Sequence, residues 1–351
     1  MEKQISIIIP TYNMEAYIGK CLDSLLIPEF DQVEVLVVND GSKDRSSEIA
    51  HSYADRYPDS IRVIDKPNGN YGSCINAALP QCTGRYVKIL DADDTFDTAE
   101  FSKLVNALKL IDDDVVITRH IIVTTDGSVL NNDNFPVGTR LDVSLCLEEA
   151  VKTIASHYIQ MHRLAYNRRV FGRIKYHQTE GVSYTDSQWA IVPLVVCESF
   201  RCFDLIVYRY AMGREGQTMS VEQIAKHIGN FFTVLGDTLN YYINFRGNQV
   251  AKSLFSLLIS EQHEYIYFNA LRCLNDHTMQ LLEEHDKKVK AKAPAIYDYI
   301  SGINYQDGVS YKVFQNIRDK NYPSDFHIPF GVRLKLSTKV RLMRLLGKLK
   351  K

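Results

Sequence analysis

The sequence lacks the features that mark a membrane-spanning, secreted or zinc-stabilised protein. Its 351 residues contain no apolar stretch of about 18 residues, the length that a helix needs to cross a bilayer. The apolar run in the N-terminal MEKQISIIIPTYN is too short for a signal peptide. The seven cysteines are scattered, without a CxxC pair or a Cys/His pair at metal-ligand spacing. We therefore expect a cytoplasmic protein with free thiols and no spanning helix.

The chain has no excess of either sign of charge, because its formal net charge is −1, but the charged residues are unevenly distributed. The last 19 residues, 333–351, carry eight Lys or Arg residues and no acid, and their apolar residues recur at helical spacing. This pattern is typical of an amphipathic helix that lies on an anionic membrane surface. Docking of the tail on the acidic body of the protein is the alternative, and no nucleic-acid partner is expected.

A GxGxxG turn, the usual signature of dinucleotide-binding folds, is also absent. Four apolar runs, separated by helical stretches, occupy the first hundred residues instead. The runs are ISIIIP (5–10), VEVLVVND (33–40), IRVIDKP (61–67) and RYVKILDAD (85–93). Strands that are apolar on both faces and alternate with helices predict an α/β fold with a mostly parallel sheet flanked by helices.

The pattern changes twice further along the chain. Residues 111–220 are mixed, with short strands such as DVVITRHIIVTT and DLIVYRY, whereas residues 221–332 are largely helical with an aromatic-rich apolar side. The stretch KAPAIYDYISGINYQDGVSYK has no clear assignment. We therefore predict an α/β domain over 1–220, with halves 1–110 and 111–220, followed by a helical region over 221–332 and the basic tail.

Polar motifs follow three of the predicted strands: PTYN, NDGSKD and DADD. Because ligands of parallel α/β sheets bind at the carboxyl ends of the strands, we expect these motifs to share one crevice. In NDGSKD, Ser42 or Asp44 can cap the following helix, with Gly41 in the turn. Asp40 is not needed for that cap and can accept a hydrogen bond from a base or a ribose.

Five acids crowd the end of the fourth strand. Asp97 and Glu100 have the spacing of a helix N-cap with its reciprocal partner, so we assign them to the next helix. Asp91 and Asp93 would point to the same side of an extended segment, with Asp94 adjacent. Such carboxylates suit Mg²⁺ or Mn²⁺, and with no His or Cys nearby in the sequence zinc is not expected. A solvated acidic turn is the alternative.

Four segments, in this order and spacing, resemble the family 2 glycosyltransferases of the GT-A fold. They are ISIIIPTYNMEAYIGKCLDSLL, VEVLVVNDGSKDRS, NGNYGSCINAAL and TGRYVKILDADD. The resemblance is strong over residues 4–100 and looser to about 220. It implies an inverting enzyme that transfers a sugar from a nucleotide-sugar, usually a UDP-sugar, with Asp93 binding the Mg²⁺ or Mn²⁺ that bridges the diphosphate. The residues that it places around the nucleotide are Pro10, Thr11, Tyr12, Glu15, Asp40, Asp91 and Ala92.

The resemblance extends to two later segments. EGVSYTDSQWAIVPLVV (180–196) implies Asp186 as the general base, while an N-cap of the following helix is a compatible structural reading. YRYAMGREGQTMS (208–220) resembles the loop that closes over the diphosphate, with Arg214 and Gln217 as contacts, and a solvated turn is the alternative. Ile75 stands where many family members carry arginine, so the donor sugar is not implied.

Together these expectations describe a metal-dependent inverting glycosyltransferase that uses a UDP-sugar. The expected acceptor is a saccharide or a lipid-linked molecule in cell-envelope or capsular polysaccharide synthesis, with the enzyme peripheral to the inner face of the membrane. One alternative is a sugar-nucleotidyltransferase, but PTYNMEAY lacks the Gly-rich basic loop that this class carries after the first strand. The other is a catalytically silent nucleotide- or saccharide-binding protein, against which the intact DADD motif and the candidate base argue.

Overall fold

The computed structural model describes residues 2–124, 127–132, 134–154, 159–213, 221–302 and 309–323. The chain divides into two compact units, Met1–Glu215 with Gln249–Ala251 and Gly216–Asn248 with Lys252–Lys351. None of the helices in the described part of the chain has the length and apolar character of a membrane span. The basic tail lies outside the described residues, and the predicted boundaries at 110, 220 and 332 remain predictions.

A ten-stranded mixed sheet forms the centre of the first unit. Its strands are β1 (Ile5–Thr11), β2 (Val33–Asn39), β3 (Ile61–Asp65), β4 (Tyr86–Ile89), β5 (Thr95–Phe96), β6 (Val115–Thr124), β7 (Val129–Asn132), β8 (Ser144–Cys146), β9 (Leu164–Asn167) and β10 (Ser199–Met212). The order is β3-β2-β1-β4-β9-β6-β10-β5, with β7 beside β6 and β8 beside β10. The predicted α/β class is therefore confirmed.

The two halves of the sheet differ in strand direction. β1 to β4 are parallel neighbours, as the alternation of strands and helices predicts, and β6 and β10 are also parallel to each other. The other pairs are antiparallel, and β9 runs against both of its neighbours, β4 and β6. The direction of β9 decides which residues reach the end of β4.

Helices flank the sheet and make up the second unit. Those of the first unit are α1 (Ile18–Asp23), α2 (Ser46–Arg56), α3 (Asn70–Ala78), α4 (Thr98–Leu108), α5 (Leu147–Ile154), α6 (Val170–Arg173) and α7 (Asp186–Ile191). The later helices are α8 (Val221–Lys226), α9 (Ile228–Asn244), α10 (Gln249–Arg272), α11 (Asp276–Lys292), α12 (Pro294–Gly302) and α13 (Val309–Asp319). The predicted helical region is thus present, and the unassigned stretch supplies α12 and the start of α13.

The core of the first unit is built on the two central parallel strands. β2 is buried along its whole length, and β1 along all of it except Pro10. Ile5, Ile7 and Ile9 pack in the same cluster as Leu22 of α1. Full burial of one such side chain contributes about 1.5–3 kcal/mol to the free energy of folding. A central strand with apolar residues on both of its faces is therefore strongly stabilised.

The start of α4 shows where the predicted helix cap is right and where it is wrong. Asp97 is the N-cap, and its Oδ1 accepts from the N–H of Glu100 at 3.1 Å. The reciprocal bond from Glu100 is not formed, because Glu100 accepts from Lys103 Nζ at 2.7 Å. The N–H of Asp97 donates instead to the carbonyl of Val207 in β10 at 2.8 Å. A contact with a neighbouring strand therefore replaces half of the predicted capping box.

Candidate active site

The carboxyl ends of β1, β2 and β4 lie side by side. Thr11, the last residue of β1, pairs with Asn39, the last residue of β2, and Ile8 of β1 pairs with Ile89, the last residue of β4. The three polar motifs follow directly after these positions. They therefore share one edge of the sheet, as the strand pattern predicts.

In the first motif and the loop after it, the ring of Tyr12 is exposed and the carboxylate of Glu15 is hydrogen-bonded. Thr11 is buried and donates from Oγ1 to the carbonyl of Ile9 at 3.1 Å. Tyr12 is 45% exposed, so its ring is available to a ligand. The carboxylate of Glu15 accepts from the N–H of Arg45 at 3.0 Å, which fastens the first loop to the second. The predicted contacts of Pro10, Thr11, Tyr12 and Glu15 with a nucleotide remain predictions.

The second motif forms the other side of this fastening. Ser42 Oγ accepts from the N–H of Asn13 at 3.1 Å, and Asp44 Oδ2 accepts from the N–H of Glu15 at 3.0 Å. The N-cap position of α2 is Arg45, not Ser42 or Asp44 as expected. Asp44 does bind the start of the helix, because its Oδ1 accepts from the N–H of Ser46 at 3.0 Å. The polar residues of this loop therefore hold two strand ends in register.

Asp40 is buried and held from two sides. Its Oδ1 accepts from Lys66 Nζ at 2.6 Å and from the N–H of Gly69 at 2.9 Å. Lys66 also donates to Ser73 Oγ at 2.8 Å, so the ammonium group is fixed on β3's side of the pocket. The Cys74 thiol is a third hydrogen-bond partner of this carboxylate. Asp40 therefore ties the second loop to the start of α3, and its predicted contact with a base or ribose remains a prediction.

The DADD motif forms a turn instead of extending the fourth strand. β4 ends at Ile89, four residues before the predicted end, and the N–H of Asp94 donates to the carbonyl of Asp91 at 2.9 Å. The expectation that Asp91 and Asp93 share one side of an extended segment is therefore wrong. A hydrogen-bonded turn brings the side chains of positions 91 and 94 together instead, and Ala92 is buried within it.

Tyrosine hydroxyls donate hydrogen bonds to the first and last acids of the motif, Asp91 and Asp94. Asp91 Oδ1 accepts from Tyr71 Oη at 2.8 Å. Asp94 is buried, and its two oxygens accept from Tyr208 Oη at 2.7 Å and from the N–H of Ala211 at 2.6 Å. Burial, reinforced by the nearby charges of Asp91 and Asp93, raises the pKa of Asp94 well above its ordinary value. This crowding of carboxylates favours the binding of a cation.

His162 joins these acids from a distant part of the sequence. It lies in a short turn directly before β9, which pairs antiparallel with β4 through Tyr86 opposite Asn167 and Val87 opposite Tyr166. Continuing this register beyond the strand ends sets position 162 opposite position 91. Ligand atoms of Asp91, Asp94 and His162 all lie within 4.8 Å of one another. A histidine that is distant from the acids in the sequence is therefore close to them in space.

The donor set of this cluster fits a divalent cation. Two carboxylates supply oxygens, and the imidazole supplies a nitrogen. The Nδ1 atom of His162 is buried and has no hydrogen-bond partner among the described residues. Burial, with the nearby His120 and Lys88, lowers the pKa of His162 well below its ordinary value, so the ring is uncharged at neutral pH, as a metal ligand must be. Asp93, the ligand predicted from the sequence, is not a member of this cluster, and its role remains a prediction.

Asp186 lies close to the same site. It is the first residue of α7, the N-cap position is Thr185, and no side-chain capping bond is formed, so the N-cap reading of Asp186 is wrong. The charge of Asp186 raises the pKa of Tyr71, after the larger effects of burial and of Asp91, and it also acts on Tyr210. The carboxylate is exposed, and yet desolvation by the surrounding protein raises its pKa.

The segment that precedes Asp186 is fixed against α3. Asn76 donates from Nδ2 to the carbonyl of Gln178 at 2.8 Å and to Glu180 Oε1 at 2.8 Å. Gln178 is buried and donates from Nε2 to the carbonyl of Thr185 at 2.9 Å. Glu180, the next acid that could act as a base, is thus engaged with Asn76. These bonds tie the position of Asp186 to the helix that carries Tyr71.

Sequence reasoning did not identify several residues of this site. Tyr71 lies in the motif NGNYGSC, so its place in the resemblance to the family was a usable signal. His162 carries no local signal, and Tyr208 belongs to a segment for which only a loop contact with the diphosphate was expected; both reach the acids through strand pairing. Arg214 and Gln217, predicted to contact the diphosphate, lie outside the described residues.

Comparison with known proteins assigns the N-terminal half of the chain. Residues 6–175 match the model of the family described as Glycosyl transferase family 2. Residues 6–175 are therefore similar to the family 2 glycosyltransferases. The matched segment lies in the first compact unit and includes β1 to β4 and the DADD motif.

Individual relatives agree with this assignment. The chain is 43% identical over 100 residues to the uncharacterised glycosyltransferase EpsJ of Bacillus subtilis, a match that covers 28% of this chain and 29% of the relative. It is 27% identical over 246 residues to the hyaluronan synthase of Pasteurella multocida, which covers 67% of this chain and 23% of the relative. The chain therefore spans less than a third of the length of these two relatives.

A solved structure shows the same fold over most of the chain. The crystal structure of residues 1–349 of TarS from S. aureus in complex with UDP-GlcNAc superimposes with a TM-score of 0.65 at 17% identity, covering 93% of this chain and 95% of that one. At this identity the likeness establishes the fold alone. The expected GT-A architecture is therefore confirmed.

Proposed function

We propose that the protein is a metal-dependent inverting glycosyltransferase that transfers a sugar from a UDP-sugar to a saccharide or lipid-linked acceptor. One observation carries the proposal: α3 contacts both halves, because its Tyr71 donates to Asp91 and its Asn76 donates to the carbonyl of Gln178 in the segment that leads to Asp186. A donor-binding carboxylate and a base are required at a single reaction centre. The match to the family 2 model supports the reaction class, and the shared contacts of α3 support the choice of residues.

The donor is held by residues at the strand ends. In this proposal the ring of Tyr12, which is exposed, stacks on the uracil, and Asp40 contacts the base. Asp91, oriented by Tyr71, accepts from the ribose. The acids of 91–94, with Asp93 as the ligand implied by the family resemblance, would hold a Mg²⁺ or Mn²⁺ ion, which would supply positive charge to neutralise the departing diphosphate. Arg214 and Gln217, with Thr11, Glu15, Pro10 and Ala92, complete the donor contacts implied by the family resemblance.

The base acts on the acceptor. Asp186 takes the proton of the acceptor hydroxyl while its oxygen attacks the anomeric carbon, and the bond from that carbon to the UDP oxygen breaks. UDP leaves from the face opposite to the attack, so the anomeric configuration inverts. The raised pKa of Asp186 makes its carboxylate a stronger proton acceptor than an ordinary aspartate, provided that it stays ionised. Positioned bases contribute typically about 10²- to 10⁴-fold to a rate.

The acceptor class follows from two weaker supports. A relative over two thirds of this chain is a hyaluronan synthase, which supports polysaccharide synthesis. The basic tail 333–351 supports a location at the anionic inner surface of a membrane, where a lipid-linked acceptor would be met. We therefore include cell-envelope or capsular polysaccharide synthesis in the proposal.

UDP release tests the function. The protein is incubated with Mn²⁺ and a panel of UDP-, GDP- and dTDP-sugars, with a mixture of saccharide acceptors, and free nucleotide is measured. Release of UDP that depends on acceptor supports the proposal, and the product anomer, read by NMR, must be inverted. A sugar-nucleotidyltransferase would instead consume nucleoside triphosphate and release pyrophosphate, and a silent binding protein would release nothing.

The variant Asp186→Asn tests the assignment of the base. Turnover should fall by about 10²- to 10⁴-fold, whereas UDP affinity should change little because the donor contacts lie on other strand ends. The unfolding temperature should stay level or rise, because the folded state raises the pKa of Asp186 and so disfavours the charged form that Asn removes. Glu198→Gln is a matched control, since Glu198 is exposed. Turnover in Asp186→Asn equal to that of the control would place the base elsewhere.

A further inference from the structure

Tyr210 brings a hydroxyl group to the site that no described residue engages. It follows Tyr208 by two positions on β10, where the pairing with β6 is regular, so the two side chains lie on the same face of the strand. The imidazole of His162 packs against both rings, at centroid distances of 4.6 Å from Tyr208 and 5.0 Å from Tyr210. The hydroxyl of Tyr208 donates to Asp94, whereas that of Tyr210 has no hydrogen-bond partner among the described residues, and its side chain is only partly buried. The hydroxyl of Tyr210 is therefore open to a ligand.

The surroundings of Tyr210 belong to both halves of the proposed reaction centre. On one side, the N–H of the next residue, Ala211, donates to Asp94 of the DADD turn at 2.6 Å. On the other side, the short turn that carries His162 contacts β10 and also α7, the helix that begins with Asp186. Burial raises the pKa of Tyr210, and the charges of the DADD acids and of Asp186 add to this effect. The ring of Tyr210 therefore lies between the acids of the turn and the candidate base.

A sugar that is being transferred must occupy the same interval. Its anomeric carbon is bonded to the leaving diphosphate, which the proposed function assigns to the DADD turn. The acceptor oxygen that Asp186 deprotonates attacks this carbon from the opposite face. A side chain between the turn and the base is therefore next to the sugar ring. Sugars offer hydroxyl groups, and the hydroxyl of a tyrosine can donate to them or accept from them.

We propose that the hydroxyl of Tyr210 binds a hydroxyl group of the transferred sugar, so that Tyr210 takes part in the choice of the donor. This inference rests on the proposed function, because it needs the diphosphate at the DADD turn and the base at Asp186. A site that hydrogen-bonds a substrate hydroxyl discriminates against the analogue that lacks it, since the protein group is then left without a partner.

Donors that each lack one sugar hydroxyl, combined with the variant Tyr210→Phe, test this contact. The variant removes the hydroxyl and keeps the ring that packs against His162. The donor is the UDP-sugar from which the full chain releases UDP in the panel described above, and kcat/KM is measured for it and for its deoxy analogues with Mn²⁺. Tyr210→Phe should lower kcat/KM for the complete donor by about 2- to 10-fold, the effect of one hydrogen bond, and leave the affinity for UDP unchanged. One deoxy analogue should react more slowly than the complete donor with the wild type, and equally well with both proteins.

Tyr299→Phe is the matched control, because Tyr299 is exposed on α12 in the second compact unit. It should keep the wild-type kcat/KM with every donor. If Tyr210→Phe does not fold, Tyr210→Leu, which also lacks the hydroxyl, takes its place. UDP release at the wild-type rate in Tyr210→Phe, or an equal loss with every analogue, would overturn the contact and leave the proposed function standing. If no nucleotide-sugar of the panel releases UDP when acceptor is present, the proposed function itself fails.

Discussion

The close contact between α3 and the segment before Asp186 can be tested by adding one methyl group. Gly72 lies in α3, and a Cβ built at this position would be 2.0 Å from the carbonyl oxygen of Thr179. Real Cβ atoms essentially never approach closer than 3.0 Å, so Gly72→Ala must move the Thr179 backbone by about 1 Å. The segment 178–185 connects this carbonyl to Asp186, and so the base must move with it.

The expected effect on turnover is larger than the effect on stability. A misplacement of about 1 Å at a reaction centre can cost about 10²-fold in rate, equivalent to about 2.7 kcal/mol. Alanine in a helix is favoured over glycine by about 0.8–1 kcal/mol, while overpacking costs about 1–3 kcal/mol. The net loss of stability should therefore be at most about 2 kcal/mol, and a folded variant with low turnover is expected.

Initial rates of UDP release at saturating donor and acceptor, together with urea unfolding, measure the two effects. Gly172→Ala is the matched control, because Gly172 is also helical and no atom lies within 4 Å of its Cβ position. The control should keep wild-type turnover. Wild-type turnover in Gly72→Ala, or an equal loss in Gly172→Ala, would refute the argument that this contact positions the base.

Two further predictions concern other parts of the chain. His263 and His285 are buried, with their Nε2 atoms 3.1 Å apart. Burial lowers the pKa of His263 to about 4, although the charge of Asp286 opposes this shift. Burial also lowers the pKa of His285 well below its ordinary value, and the charge of Lys288 reinforces that shift. Between these pKa values and about pH 6.5 the unfolded chain binds protons at the two histidines and the folded unit does not. The free energy of unfolding should therefore be highest above about pH 6.5 and fall as the pH approaches 4. An unfolding temperature that stays constant between pH 7.5 and 4.5 would contradict this. Deleting residues 333–351 should abolish co-sedimentation with anionic vesicles, since each surface Lys or Arg contributes about 1 kcal/mol, and unchanged sedimentation would show that the tail is not the membrane contact.

The first half of the sheet could be predicted because its strands are apolar on both faces. This pattern fixed the positions of β1 to β4 within a few residues and set the polar motifs at one edge. The geometry of the DADD motif could not be predicted in the same way. Alternation along a strand holds only where the backbone is extended, and here β4 ends before the acids and a turn decides which carboxylates meet.

The contribution of His162 to the site depends on pairing between distant segments. β9 enters between β4 and β6 and runs against both, so the residue that precedes β9 meets the residues that follow β4. An isolated histidine in YIQMHRLAYN has no spacing that reports this. The same holds for Tyr208, which reaches Asp94 because β10 crosses from the second half of the domain.

Calorimetric titration of UDP into the wild-type protein tests the central claim most directly. The claim is that the ends of β1, β2 and β4 form a metal-assisted site for the nucleotide of a sugar donor. UDP should bind with clear heat in the presence of Mn²⁺, and affinity should fall by at least about tenfold, or about 1.4 kcal/mol, when EDTA replaces the metal. The absence of UDP binding under both conditions, or an affinity that EDTA does not change, would contradict the account.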